Sequence, residues 1–248
     1  MRRRSDDGFD AGQLDETVRA WDLPTRVFHW MLALLIFCAW FSWRYSEWFG
    51  DDLLVWHRWN GISVLVLLVW RLLWGFAGSS TSRFAAFVRW PWSAAAYGLD
   101  LVRGRDRHYL GHNPLGAYMV LALLAAVGAQ ATLGLFTVEH NDSGAYGPLY
   151  RLVDEATWTK LSKWHLWSFY WVLLPLIGAH IAANVLYGVV KKDPLIRAMV
   201  TGRKPRADYE DAAEAALLAN PVGRAAAVLV LAVAIVLGAI LALGGRLP

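Results

Sequence analysis

Seven histidines, His29, His57, His108, His112, His140, His165 and His180, are the residues of this chain best suited to do chemistry. Neutral imidazole is a strong ligand for haem iron and other transition metals. An ionisable side chain inside an apolar run is costly unless a partner occupies it. The single cysteine, Cys38, lies in such a run, so no internal disulfide forms and no CxxCH motif offers covalent haem attachment. Any haem would be held by coordination and packing alone.

The elements that must position these histidines are apolar. Of 248 residues 57% are hydrophobic and 18% charged, against the roughly 25% charged of soluble domains. Mean hydropathy is +0.34. Runs near twenty apolar residues fall at about 27–45, 53–77, 114–137, 164–189 and 224–244. A bilayer admits them as helices, which predicts an all-α integral membrane bundle, four helices forming a core and a fifth at the C-terminus. Membrane lipid is then a partner. The fifteen Trp flank these runs and suit the headgroup zone. The net charge of +4 sits in the gaps between runs, which argues for topology rather than nucleic-acid binding.

Those gaps set an orientation. Basic residues gather before the first run, between the second and third, and between the fourth and fifth, so the N-terminus and these gaps are expected in the cytoplasm and the C-terminus in the periplasm. The N-terminal stretch lacks an apolar core of the kind a cleavable signal needs. The expected divisions are a cytoplasmic segment 1–26, a four-helix core 27–190, a polar cytoplasmic linker 191–223 and a final helix 224–248. A short helix near 90–104, carrying RWPWSAAAYGLDLVRGRD, is expected in the membrane interface. The fifth run has no ionisable residue between Arg224 and Arg246 and suits packing or anchoring.

Depth then sorts the histidines. His57 opens the second helix from outside, and His165 lies at the outer end of the fourth. His29 opens the first helix from inside. His180 lies 15 residues beyond His165, about 22 Å deeper in a regular helix and about 60° around its axis. Two depth-matched pairs result, His57 with His165 and His29 with His180, the geometry required by two non-covalent b haems with two axial histidines each. Such iron has no open position, which favours electron transfer over oxygen activation. The competing reading of His29 or His57 alone is an interfacial residue at a helix end. It explains His180 and the pairing poorly.

His112, beside Asn113 and Pro114, sits at the depth of the inner pair. It is expected to hydrogen-bond a propionate there or to replace His29 or His180 as a ligand. His108 and His112 form HYLGH, which lacks the glutamate of a HExxH zinc site. His140, beside Asn141 and Asp142, reads as a solvated loop residue. Haem carboxylates need cations: Arg26 and Arg71 are placed for the inner haem, Arg58 and Lys163 for the outer. Gly61 and Gly178 would let a porphyrin approach the backbone.

At these residues the chain resembles the bacterial cytochrome b561 family, including the related b-type subunits of membrane-bound nickel-iron hydrogenases. WDLPTRVFHW around His29, HRWNG from His57, GHNPLGAYM from Gly111 and the pair His165 and His180 carry the resemblance, over about residues 20 to 190. The fifth helix departs from the minimal four-helix core. The resemblance implies a di-haem core with one ligand each from the first and second helices and two from the fourth. It also implies electron exchange in the bacterial inner membrane between quinone (ubiquinone or menaquinone) and an outside redox partner, a c-type cytochrome or a hydrogenase. In some relatives superoxide is oxidised at the outer haem, and that alternative stays open. A transporter with structural histidines is a further alternative, although such proteins tend to carry intramembrane acids, which these runs almost lack.

Overall fold

A computed structural model describes residues 17–49, 52–105, 107–139, 145–212, 218 and 220–248. His140, Asn141 and Asp142 lie outside the described residues. In chain order the elements are a strand β1 (Thr17–Arg19), helices α1 (Leu23–Arg44), α2 (Ser46–Phe49), α3 (Asp52–Ala77), α4 (Phe84–Phe87), α5 (Pro91–Val102), α6 (Pro114–Gly134), α7 (Glu155–Ser168), α8 (Leu174–Val190) and α9 (Leu195–Thr201), a strand β2 (Arg203–Pro205) and helix α10 (Pro221–Ala242). A π-helical turn, Phe169–Leu173, joins α7 to α8 into one rod.

Local chemistry explains where the long helices start. Asp22 caps α1 by accepting from the Thr25 backbone N–H, Asn113 caps α6 from Gly116, and Asp154 caps α7 from Thr157, each at 2.8 Å. Pro24 and Pro114 stand in the first turn of α1 and α6, where no intrahelical N–H is needed. Five helices are long and apolar enough to cross a membrane: Leu23–Arg44, Asp52–Ala77, Pro114–Gly134, the continuous Glu155–Val190, and Pro221–Ala242. Four agree with the apolar runs to within a few residues. The fourth begins nine residues earlier than expected, because the Asp154 cap lets the polar stretch EATWTKLSK join the helix.

The chain is thus a helical membrane bundle. Its end where α1 begins is called proximal here, and the opposite end distal. Midway between the ends α1, α3, α6 and the rod α7–α8 close on an apolar layer of Val64, Leu68, Val127, Ala131 and Leu173. Helix α10 packs on the other side of α3. Ala232 meets Phe28, Trp70 and Trp74, while Val236 and Ile240 meet Ile62 and Leu149. Phe28, Trp70 and Trp74 form a continuous stack, with ring centres 5.4 and 5.3 Å apart. The Trp70 indole donates to the Ala225 carbonyl at 3.0 Å and that of Trp74, fully buried, to the Thr25 hydroxyl at 3.2 Å. In hydrocarbon, where apolar burial gives no drive between helices, such close packing and hydrogen bonding hold α10 to the core.

The proximal end carries a knit of three segments distant in sequence. β1 pairs antiparallel with β2, Val18 opposite Lys204, so part of the polar stretch expected as a linker is ordered as α9 and β2. Lys204, 1% exposed, donates to the Tyr109 carbonyl at 2.9 Å and to Asp193 at 3.1 Å. Burial lowers its pKa, opposed by Asp193 and Asp211. The Asp211 carboxylate accepts from the backbone N–H of Leu110 (2.6 Å) and Gly111 (2.8 Å), fixing the loop that ends in His112.

Candidate functional site

His57 and His165 face each other at the distal end with ring centres 6.2 Å apart. Metal–imidazole bonds of about 2.0 Å, with about 1.1 Å from ring nitrogen to ring centre, would set two imidazoles that shared one metal ion about 6.2 Å apart. Each ring is oriented by a backbone carbonyl on a neighbouring helix. The Nδ1–H of His57 donates to Ala39 on α1 at 2.7 Å, and that of His165 to Gln130 on α6 at 2.9 Å. Donation from Nδ1 leaves Nε2 as the lone-pair atom of both rings, the tautomer a metal requires.

Both rings line a cavity of about 420 Å³ bounded by α1, α3, α6 and the rod, within the roughly 300–1,000 Å³ of small-molecule sites. Ile36, Val64, Val127 and Leu173 give it apolar walls, and Arg58, Glu139 and Lys163 lie at its polar rim. Gly61 also lines it, and a Cβ there would meet nothing within 4 Å, so the wall stays flat where a ring would lie. A flat apolar slot between two Nε2 lone pairs suits a metallated tetrapyrrole. Its carboxylates would find cations at the rim.

His29 and His180 form the second pair at the proximal end, also with ring centres 6.2 Å apart. Here the rings are held less symmetrically. His29 stands edge-on to Trp30, and its Nδ1 is buried without a hydrogen-bond partner. Asn184, one turn beyond His180, donates to the His180 carbonyl at 2.7 Å and lies 3.4 Å from the ring Nε2.

The rod sets the relation between the pairs. The π turn takes up about one residue more than regular helix, so the 15-residue step acts as about 14. His180 therefore lies about 40° short of His165 around the axis, instead of the 60° beyond expected for a regular helix. Both histidines keep to the bundle interior. Pro175 accounts for the slip: it lacks an N–H, and its ring clashes with the carbonyl of Trp171 four residues back.

The remaining candidates divide. Arg58 donates from Nη1 to the Tyr146 carbonyl at 3.1 Å and keeps its Nε unpartnered at the cavity rim, beside exposed Lys163. Arg26 turns to the proximal knit, where Nη1 donates to the Val200 carbonyl. Asn113 is committed to capping α6. Gly178 meets nothing within 4 Å of an added Cβ. His112 stays out of the His29–His180 pairing and packs on Phe87 and Trp21, ring centres 4.5 and 4.8 Å away. Burial, reinforced by the charges of Arg71 and Lys204, pushes its imidazole down to about 3, so it is neutral at physiological pH.

Sequence reasoning missed Gln130, Gly134 and Asn184. The Gln130 amide donates to the His165 carbonyl at 2.9 Å and accepts from Ser168 at 2.5 Å. As the one carboxamide inside the α6 span it was detectable as a polar intruder. A Cβ on Gly134 would come 3.1 Å from His165 Cε1, so the glycine makes room for that ring.

A search of the curated proteins finds no match. The family model described as prokaryotic cytochrome b561 matches residues 20–202, which is about three quarters of the chain and includes all four paired histidines. Five membrane-spanning helices and imidazoles paired at iron-spanning distance agree with that match, and the chain belongs to the prokaryotic cytochrome b561 family, membrane b-type cytochromes of electron transfer.

Proposed function

We propose that the chain binds two b haems, one between His57 and His165 and one between His29 and His180, and passes electrons between a membrane quinone and a redox partner outside. The observation that carries this reading is the equal 6.2 Å spacing of both pairs. When bound, each haem would supply an iron that exchanges one electron between ferric and ferrous forms, held by His57 and His165 or by His29 and His180.

The residues of the chain do the rest. Ala39 and Gln130 hold the distal imidazoles by their Nδ1–H groups and keep the Nε2 atoms basic. Val64, Leu68, Val127, Ala131 and Leu173 exclude water from the layer between the two levels. Arg58 and Lys163 offer cations to carboxylates at the distal rim. The proximal end, with its basic flanks, is the cytoplasmic one, and the C-terminus is periplasmic. The quinone is ubiquinone or menaquinone, and the outside partner a c-type cytochrome or hydrogenase-like subunit.

The test is reduction of the purified protein by a short-chain quinol, followed in the visible spectrum and by haem-to-protein ratio. Two reducible haems per chain, with electrons passing on to an added c-type cytochrome, are expected. A single haem, or no reduction by quinol, would overturn the reading.

A further inference from the structure

A second buried polar cluster lies at the proximal end, next to His29 and His180. Arg71 is 3% exposed within α3, its guanidinium carbon 4.7 Å from the Phe84 ring centre and 6.0 Å from that of Phe87. Its Nη1 is buried with no hydrogen-bond partner. His112 lies against the same Phe87, and its Nδ1 is equally unpartnered. Thr81 is the third member. Its Oγ1 is buried and unpartnered, and it lies against Gly111, where an added Cβ would come 3.8 Å from the Thr81 Cβ. Asp22 is the acid whose charge acts on Arg71; its Oδ1 caps α1, and its Oδ2 is buried without a hydrogen-bond partner.

Level and face tie this cluster to the proximal histidines. Trp70 stacks on Phe28 between antiparallel helices, so Arg71 and His29, one step away in opposite directions, lie within about 3 Å of one depth. Arg71 also follows His57 by 14 residues on α3, about 21 Å along and about 40° from the same azimuth. That is the step by which His180 follows His165. Helix α3 thus gives an imidazole at the distal level and a guanidinium on nearly the same face at the proximal level. His112 lies within electrostatic range of Arg71, Lys204, His180 and His29.

A buried guanidinium nitrogen left without a hydrogen-bond partner is expensive, and three buried unpartnered donors gathered about Phe87 and Gly111 suit one anion. We propose that Arg71, Thr81 and His112 form the pocket for a carboxylate of the porphyrin held by His29 and His180. This rests on the two-haem reading. Arg71 supplies the charge-assisted bond, and the neutral Thr81 and His112 donors complete the shell. The Asp211 clamp on Leu110 and Gly111 fixes the loop that carries His112 beside Thr81. A fixed positive charge beside the carboxylate favours the ferrous form, so this haem is held at a higher potential than it would otherwise have.

Spectroelectrochemical titration of the purified full chain tests this, comparing wild type with Arg71→Gln, Arg71→Lys and Thr81→Val. Arg71→Gln is expected to shift the proximal component about tenfold toward the oxidised form, ~59 mV for a one-electron couple. The distal component stays in place. Arg71→Lys retains most of the wild-type value, and Thr81→Val shifts the same component by less. An unchanged proximal component, or equal shifts in both, would overturn the pocket. If Arg71→Gln fails to accumulate, an unchanged Thr81→Val does so. A proximal component that follows added inorganic phosphate in wild type would mean the pocket takes a free anion, which also overturns it. Wild type with only one titrating haem would overturn the two-haem reading itself, and the proposal with it.

Discussion

Deleting Val172 from the π turn is a severe test of how the two histidine levels are registered. In a regular membrane helix, removing one residue rotates everything beyond it by ~100° and shifts it by ~1.5 Å, enough to turn a ligand off its metal. The turn Phe169–Leu173 already holds about one residue more than regular helix requires. Without Val172, and with Pro175→Ala in the same variant so that no proline clash opposes regular helix, the step from His165 to His180 becomes 14 residues of regular helix, ~40° short of four full turns, which is the relation the π turn creates. Both haems should therefore survive. Inserting one alanine after Ile177 has no such reserve, and it swings His180 by ~100° away from His29. The assay is haem content per chain with the reduced-minus-oxidised spectrum. The expected result is two haems in the deletion and only the distal haem in the insertion. Loss of the proximal haem in the deletion, or retention of both in the insertion, would refute the reasoning.

Other consequences are open to measurement. Gly61→Leu fills the distal slot and should abolish the distal haem alone, whereas Gly61→Ala puts a single methyl where the ring would lie and should weaken distal haem retention without abolishing it; haem content and haem transfer separate the two. Gln130→Leu removes the amide that ties His165 to Ser168 and should weaken distal haem retention about tenfold, read by haem transfer to an acceptor protein. Lys204→Met leaves Asp193 without its ion pair and should cost about 3 kcal/mol in the proximal knit, seen as faster proteolysis within 191–211 and a lower Tm.

Much of this architecture is legible in the chain because a bilayer imposes long apolar helices, and each histidine within one then stands out. The pairs His57–His165 and His29–His180 follow from depth, which depends on residue count and flank charge alone. The π turn does not follow, because a one-residue slip in hydrogen bonding before Pro175 leaves composition and hydropathy unchanged. The proximal knit is equally hidden. It joins Val18, Leu110 and Lys204, which have no local pattern in common and meet only when three loops converge. Arg26 illustrates the limit of spacing: three residues before His29 it looks placed for a haem, yet its guanidinium turns to Val200. Gln130 lay in plain view as a polar residue in α6. Its role appears only when its carbonyl is found at His165 Nδ1.

The central claim is that four histidines form two separate axial pairs. Replacing His57 and His180 one at a time by alanine, and counting haem in each purified protein, tests it most directly. One haem should remain in each variant, spectrally distinct between the two: the proximal haem in His57→Ala and the distal haem in His180→Ala. Two haems retained in either variant, or the same haem remaining in both, would contradict it.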